Sequence, residues 1–339
     1  MQCQWKDKVL AVNGSTFEKL ALDLFQFQYE SNDVYKQYTN ALKVDPDAVR
    51  TIGQIPFLPI RFFKSHRIQT TIFDPATVFE SSGTTGNTSS RHFVKDTELY
   101  KEAFTREFEL FYGPVKNWCI LGLLPSYLER ENSSLVFMVN ELTRLSRHPN
   151  SGFYLDDYNK LSSLINELED QGQKTLLIGV TFALLDFASI YSSGSGRKSL
   201  KHTAIMETGG MKGRRKEMVR HEVHTILKKA FDVSVIHSEY GMTELLSQAY
   251  SAGEGIFKCP PWMKVLIRDE DDPLAIRIPS ANWRMAYING AVNIIDLANI
   301  YSCSFIATDD AGKLYPDGSF EILGRLDNSD IRGCSLMVV

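Results

Sequence analysis

The sequence predicts a layered α/β domain that is followed by a smaller β-rich subdomain. Three apolar runs, at residues 118–124, 175–180 and 233–236, have the unbroken hydrophobic character of strands that are buried on both faces. Helical patterns alternate with these runs, which is typical of an α/β layered domain. Further along the chain, the pattern changes to short β-prone runs separated by turns. We therefore expect residues 1–250 to form the α/β portion and residues 251–339 the β-rich subdomain.

The individual elements follow from periodicity and capping residues. Asp96 is a good N-cap and precedes apolar residues at helical spacing, so a helix is predicted to about residue 111. Two prolines within residues 55–60 exclude a helix interior and indicate an extended connector. Further helices are predicted at residues 16–43 with a break at 31–33, 133–145, 156–170 and 215–231, and further strands at 265–267, 291–295 and 320–323.

Composition and charge exclude several classes of protein. The 339 residues are 43% hydrophobic and 23% charged, which is typical of a soluble globular chain, and a net charge of −4 gives no reason to expect a nucleic-acid partner. No apolar run approaches the length of a membrane span, and the N-terminus has no signal-peptide pattern. Five cysteines without CxxC pairing argue against a zinc site and a disulfide framework. The sequence therefore predicts a cytoplasmic protein.

A loop rich in hydroxyls and glycines connects two β-prone runs. It reads Ser81-Ser82-Gly83-Thr84-Thr85-Gly86. Glycines let backbone N–H groups approach a phosphate closely, and the hydroxyls add further donors. The loop is not a Walker A motif, because no GxxxxGK[ST] occurs in the chain. An ordinary hairpin loop is the alternative, since the same residues favour turns.

Three further segments have the chemistry of a nucleotide site. Residues 207–210, Glu-Thr-Gly-Gly, follow an apolar run, although a plain turn would explain them as well. Residues 237–244, HSEYGMTE, place an aromatic ring, a hydroxyl and a carboxylate after a predicted strand, where open α/β sheets bind ligands. Asp309 and Arg325 lie in the fourth segment, where a carboxylate and a guanidinium could bind ribose hydroxyls.

The motifs SSGTTG, the glycine pair, YGMTE, TDD and GRLDNSDIRG stand in the order of the core motifs of adenylate-forming enzymes, which this sequence resembles. More closely, the chain is similar to the acyl-protein synthetase component of the bacterial bioluminescence fatty acid reductase. This closer resemblance spans roughly residues 50–339 and is carried by IPFLPIRFFKSHRI, LPSYLERENSSLVFMV and LGRLDNSDIRGCSLMVV. It implies an adenylate-forming large domain of layered α/β type with a β-rich C-terminal subdomain.

The resemblance also implies the chemistry. A carboxylate attacks the α-phosphate of ATP to give an acyl-adenylate and pyrophosphate, and a thiol then takes the acyl group as a thioester. ATP and Mg²⁺ are the implied cofactors, a fatty acid the implied substrate, and a fatty-acid reductase or acyltransferase the implied partner. By position in the motifs, the implied phosphate contacts are Ser81, Ser82, Gly83, Thr84, Thr85, Gly86 and Thr243. The implied adenine contacts are Gly209, Gly210 and Tyr240, with Gly241 and Met242. Glu244 is the implied Mg²⁺ ligand, and Asp309 and Arg325 are the implied ribose contacts.

Two features depart from the family pattern. The usual loop carries a lysine a few residues past its second glycine, whereas here the first basic residue is Arg91. The sequence also ends soon after the Gly-Arg-x-Asp motif, where adenylate-forming enzymes normally continue into a mobile lid. We therefore expect the usual C-terminal lid domain to be lacking, which counts against a CoA ligase.

Cys334 is the candidate acyl acceptor. Arg332 lies two residues before it and would lower the pKa of its thiol, and the related family carries its acyl-accepting cysteine near the C-terminus. Cys119 and Cys303 lie in apolar runs and are predicted to be core residues. Cys259, in a loop beside a lysine, is the alternative acceptor, and an inert Cys334 stays open as well.

The leading hypothesis is an ATP-dependent acyl–protein ligase that transfers the acyl group to its own cysteine. An acid–CoA ligase of the phenylacetate type and a non-catalytic adenylate-binding scaffold are the alternatives. An apolar acyl pocket is expected from Val180, Phe182, Leu184 and Leu185. His92 and His237 adjoin the motifs, and a structural role is the preferred interpretation of each.

Overall fold

The computed structural model describes residues 2–81, 89–124, 132–155, 157–194, 196, 198–209, 218–272, 274–277 and 286–326. It confirms the α/β class. The helices are α1 Gln2–Leu10, α2 Phe17–Ser31, α3 Asp33–Ala41, α4 Phe62–Ser65, α5 Thr97–Tyr112, α6 Ser134–Ser146, α7 Tyr158–Asp170, α8 Thr181–Ser193 and α9 Arg220–Phe231. The strands are β1 Leu58–Pro59, β2 Thr77–Glu80, β3 Arg91–Val94, β4 Cys119–Leu123, β5 Gly152–Phe153, β6 Thr175–Val180, β7 Thr203–Thr208, β8 His237–Tyr240, β9 Ala249–Ser251, β10 Met263–Arg268, β11 Ile276–Arg277, β12 Ile288–Asp296, β13 Phe305–Leu314 and β14 Phe320–Arg325.

The central sheet is mainly parallel. Its strand order is β5-β4-β6-β7-β8-β9, with β9 antiparallel to β8. β4 and β6 are buried along their whole length, and α6 and α8 pack against them. This two-sided burial explains why both strands read as unbroken apolar runs. Because β6, β7 and β8 run in parallel, their carboxyl ends meet at one edge of the sheet.

A second sheet contains the C-terminal strands. Its order is β1-β13-β12-β10-β11, and β14 also pairs with β13. β1 comes from the N-terminal part of the chain and runs parallel to β13, with Leu58 opposite Ile306. The side chain of Gln28 on α2 strengthens this link, because its amide donates to the carbonyl oxygens of Asn299 and Ile300. The N-terminal helices are therefore fastened to the C-terminal sheet.

The strand predicted at residues 233–236 is wrong. Those residues connect α9 to β8, and the strand covers His237–Tyr240. α9 ends at Phe231, its C-cap residue Asp232 adopts a left-handed φ of 53°, and the chain rejoins the sheet only where His237 pairs with Met206. Ile236 is fully buried. The run is therefore a connector in which only Ile236 is buried, and the HSEY segment forms the strand that it was expected to follow.

Neither α8 nor β13 was among the predicted elements. The first part of α8, residues 181–185, is buried on all sides, and such a segment has no amphipathic period by which a helix could be recognised. β13 contains Thr308, Asp309 and Asp310, and these polar residues interrupt the apolar pattern by which a strand is recognised in the sequence. No helix within the described parts of the chain is long and apolar enough to cross a membrane.

Candidate active site

The motif residues meet at the carboxyl edge of the parallel sheet. Thr208 on β7 lies opposite Glu239 on β8, so Gly209 and Tyr240 leave the sheet side by side. Gly209 has a φ of +65°, a conformation that glycine adopts without strain. The hydroxyl of Thr181, the first residue of α8, donates to the Gly209 carbonyl at 2.5 Å and fixes this turn. Sequence reasoning missed Thr181, because α8 itself was not predicted.

A buried polar layer supports this edge. The Thr208 hydroxyl donates to the Glu239 carboxylate, and burial raises the pKa of Glu239 to about 7. Burial also acts to raise the pKa of Glu207, but hydrogen bonding from His224 and the charge of Arg220 outweigh it, so this pKa lies below its usual value. A Cβ at position 241 would collide with the Glu239 carboxylate, so the YGMTE turn requires its glycine.

Glu244 lies at one end of the site, beside the hairpin formed by β2 and β3. Its side chain is 5% exposed, and burial raises its pKa, whereas a hydrogen bond from the Ser90 side chain lowers it. Ser90 also closes the hairpin: its N–H donates to the Ser81 hydroxyl at 2.8 Å, and its carbonyl accepts from the Ser81 N–H at 3.0 Å. The base of the predicted phosphate loop therefore contacts Glu244 directly.

The residues at this end suit Mg²⁺ carried in by a nucleotide. Among the described residues, no group of three or more His, Cys, Asp or Glu side chains could hold a metal ion alone. Mg²⁺ typically uses one or two carboxylates and completes its shell with phosphate oxygens and water. A single, desolvated Glu244 carboxylate matches that donor set, because a cation would restore the solvation that burial removes.

Tyr240, Asp310 and Arg325 form the other end. The Tyr240 hydroxyl donates to Asp310 Oδ2 at 2.7 Å, and its ring packs against the rings of Phe257 and Phe320 at 5.8 and 5.6 Å. Arg325 Nε lies 3.8 Å from Asp310 Oδ1, and the arginine side chain is 83% exposed. An aromatic ring, a carboxylate and a guanidinium are thus combined at this end, and these groups could stack on a base and hydrogen-bond ribose hydroxyls.

Asp310, and not Asp309, is the aspartate that contacts this group. Asp309 Oδ2 instead accepts from Arg61 Nε at 2.9 Å. The two aspartates are neighbours on β13, and successive side chains of a strand point to opposite faces of the sheet. Sequence reasoning singled out Asp309 and missed Asp310. A prediction of β13 would have shown that only one of them can face Tyr240.

Several predicted residues cannot be placed. Ser82, Gly83, Thr84, Thr85, Gly86, Gly210 and Cys334 lie outside the described residues. Met242 is half-buried and packs against the core, and its carbonyl accepts from the Leu245 N–H at 3.1 Å. The Thr243 carbonyl accepts a hydrogen bond from the His92 ring at 2.8 Å.

Burial shifts the pKa values of the described thiols of Cys119, Cys259 and Cys303, and of His92 and His237, toward the uncharged form of each group. Cys119 and Cys303 are buried, as a core role requires, and burial raises their thiol pKa values to about 11 and about 12. Burial likewise raises the pKa of the Cys259 thiol. Burial lowers the pKa of His92 to about 4, and it also lowers the pKa of His237, which contacts Tyr112. All three thiols are thus protonated at neutral pH.

The fold of this chain is similar to that of several solved structures. The open form of 2-hydroxyisobutyryl-CoA ligase, in complex with 2-HIB-AMP and CoA, matches 93% of this chain and 70% of its own at 10% identity and a TM-score of 0.65. ATP-bound MatB from Rhodopseudomonas palustris matches 76% of this chain and 50% of its own at 16% identity and a TM-score of 0.54. MenE from Bacillus subtilis, an O-succinylbenzoate coenzyme A synthetase with ATP and magnesium, matches 77% and 53% at 18% identity and a TM-score of 0.50. These likenesses show that the chain shares the fold of these three proteins.

The family can be stated from the whole sequence. The chain belongs to the acyl-protein synthetase family LuxE, whose model matches residues 12–339. It spans about half of the length of MatB and of MenE. No relative matches among the curated proteins.

Proposed function

We propose that this chain activates a fatty acid with ATP and Mg²⁺ and transfers the acyl group to a cysteine thiol. The acid's carboxylate oxygen forms a bond to the α-phosphorus of ATP, and the bond to pyrophosphate breaks. A thiolate then attacks the acyl carbonyl carbon, AMP leaves, and a thioester remains. Family membership over residues 12–339 supports this proposal. The observation that carries it is the meeting of Glu244, Tyr240, Asp310 and Arg325 at one edge of the sheet.

Each residue has a role that suits its surroundings. Glu244 would hold the Mg²⁺ that neutralises charge on the phosphates, beside Thr243 and the loop that begins at Ser81. Tyr240 would offer its ring to the adenine, and Gly209 and Gly210 are the proposed lining of the adenine slot. For the ribose we propose Arg325 together with Asp310, and we keep Asp309 as the alternative named by the sequence.

The acyl chain and the acceptor are part of the same proposal. We propose an apolar pocket near Val180, since the surrounding residues of α8, including Phe182, Leu184 and Leu185, are buried and apolar. Cys334 is the proposed acceptor, because burial keeps each of the three described thiols protonated. A reductase or acyltransferase that consumes the thioester is the proposed partner. The free thiols of the described cysteines suit the cytoplasmic location expected from the sequence.

Fatty-acid-dependent ATP–pyrophosphate exchange tests the first step, and labelling of the protein tests the second. With ATP, Mg²⁺ and labelled fatty acid, we expect label on the chain that neutral hydroxylamine removes, as it does from a thioester. Cys334→Ser should keep the exchange activity and lose the label, because adenylation does not need the thiol and a serine hydroxyl is a much poorer acceptor. Cys3→Ser is the matched control and should label like the wild type.

Other outcomes distinguish the alternatives. Label that persists in Cys334→Ser and maps to Cys259 would refute the proposed acceptor and retain self-acylation. A wild type that makes acyl-CoA without ever carrying label would establish the CoA-ligase hypothesis instead. A chain that binds ATP and never exchanges pyrophosphate with any acid would be the scaffold.

A further inference from the structure

The hairpin of β2 and β3 reaches the Thr243–Glu244 segment with two side chains. The side chain of Ser90 forms a hydrogen bond with the Glu244 carboxylate, and the ring of His92 forms one with the backbone carbonyl of Thr243, the residue before Glu244. Both residues follow the predicted phosphate loop within the same strand region. The hairpin is therefore attached to both the side chain and the backbone at the proposed metal carboxylate.

The contact of His92 has a defined direction. Nδ1 lies 2.8 Å from the Thr243 carbonyl oxygen, and because a carbonyl only accepts, Nδ1 must carry the hydrogen. The imidazole is 1% exposed, and the Phe63 ring meets it edge-on at 5.9 Å and 89°, which holds the ring plane. This donor is thus fixed in tautomer and orientation.

Asn299 holds the next carbonyl along the chain. Its Nδ2 donates to the Glu244 carbonyl oxygen at 2.6 Å, and the side chain is fully buried. The backbone of Asn299 is itself fixed, since its backbone N–H donates to the Asp296 carbonyl at 3.1 Å and its backbone carbonyl accepts from the Gln28 side-chain amide at 3.0 Å. Two successive peptide units are thus held by donors from opposite parts of the chain.

The remaining polar atoms of these two side chains indicate why they are polar. His92 Nε2 and Asn299 Oδ1 are buried and make no well-formed hydrogen bond to a described residue, although hydrogen bonding to the Asn299 side chain acts to raise the pKa of His92; both side chains line one cavity of about 10 Å³. A buried polar atom without a partner is costly, so packing alone would favour apolar residues at both positions. The hydrogen bonds that His92 and Asn299 donate to the Thr243 and Glu244 carbonyls compensate for this cost.

We propose that His92 and Asn299 are positioning residues for adenylation. They fix the peptide units of Thr243 and Glu244, and through them the carboxylate that is proposed to bind Mg²⁺·ATP. This inference rests on the proposed function, and it adds the two side chains on which the metal carboxylate depends.

Variants of His92 test the donor. In His92→Asn the amide nitrogen can take the place of Nδ1, whereas in His92→Gln it lies nearer to Nε2, and His92→Leu has no donor. We expect His92→Asn to retain exchange activity within about threefold, and His92→Leu and His92→Gln to lose about tenfold to a hundredfold in kcat, as for a displaced catalytic group. The Mg²⁺ concentration for half-maximal rate should rise in the same two variants.

The controls separate positioning from folding and from the proposed function. His202→Leu makes the same change just before the opposite end of β7 and should leave all parameters unchanged. If His92→Leu does not fold, the comparison of His92→Asn with His92→Gln, two amides, decides. Equal activity in those two would overturn the proposal, as would wild-type Mg²⁺ dependence in His92→Leu.

Asn299→Leu provides the second arm and should weaken the same two parameters as His92→Leu. If the wild type exchanges no pyrophosphate with any acid, the proposed function fails, and calorimetric titration with Mg²⁺·ATP still tests the positioning. Weaker binding in His92→Gln than in His92→Asn would support the proposal, and equal binding would refute it.

Discussion

The two ends of the candidate site differ in how firmly they are held. At the Glu244 end, the carboxylate is 5% exposed and its segment is bonded by Ser90, His92 and Asn299. At the other end, Tyr240 and Asp310 are fixed to each other, but Arg325 is 83% exposed. The Glu244 end is therefore preorganised before a ligand binds, whereas at the other end the long side chain of Arg325 must still become ordered.

This difference follows the demands of the proposed chemistry. Charge redistributes on the phosphates during adenylation, and groups that stabilise such charge are most effective when they are already in place. The ribose and the adenine do not react, so contacts with them contribute to binding in ground and transition states alike. An arginine that orders only on binding costs side-chain entropy, which lowers affinity without lowering the rate of the chemical step.

Removal of the carboxylate at the firm end should have the largest effect. We expect Glu244→Gln to reduce Mg²⁺-dependent exchange by at least about a hundredfold, because a metal ion supplies several kcal/mol of charge stabilisation. Circular dichroism should show an intact fold. Glu254→Gln, at an exposed glutamate paired with Lys228, is the control. A fully active Glu244→Gln enzyme would remove the distinction between the two ends.

The two adjacent aspartates sharpen the comparison at the other end. We expect Asp310→Asn to raise the KM for ATP about tenfold with a small change in kcat, since one charge-assisted contact is lost. Asp309→Asn should change this KM less than twofold, because its partner is Arg61 on the surface. Steady-state kinetics at saturating acid measure both. The reverse order would return the ribose contact to Asp309.

Arg325→Ala should have the smallest effect. We expect the KM for ATP to rise about threefold at low salt, and the difference from wild type to shrink at high salt, because an exposed charge is screened. Arg277→Ala, which removes an exposed arginine from β11, is the matched control. An Arg325→Ala enzyme with unchanged KM and a strongly reduced kcat would show that this end also takes part in the chemistry.

Local patterns in the sequence were sufficient for much of the fold. The strand at 175–180 and the helix capped by Asp96 agree with the structure, because two-sided burial and capping leave marks on neighbouring residues. β13 leaves no such mark. Its pairing partners come from β1, β12 and β14, and its polar residues are explained by contacts that no local pattern contains.

The same limit applies to the site. The motif around Glu244 could be found by its composition, but the dependence of Glu244 on Asn299 joins residues 55 positions apart, and His92 lies 151 positions from Thr243. Asp309 and Asp310 are indistinguishable by composition. Only the alternation of a strand assigns them to different partners.

The pairing of β1 with β13 has a consequence for biosynthesis. Arg61, just after β1, finds its partner Asp309 only 248 residues later in the chain. At typical translation rates of about 5–20 residues per second, some 12–50 s pass before the ribosome has made both halves of this contact. During that interval the C-terminal sheet, against which α2 and β1 pack, has not yet been synthesised. The apolar face of α2, with Phe17, Leu24 and Phe25, is then accessible to other proteins. The N-terminal segment is thus where a nascent chain of this protein would most need a chaperone.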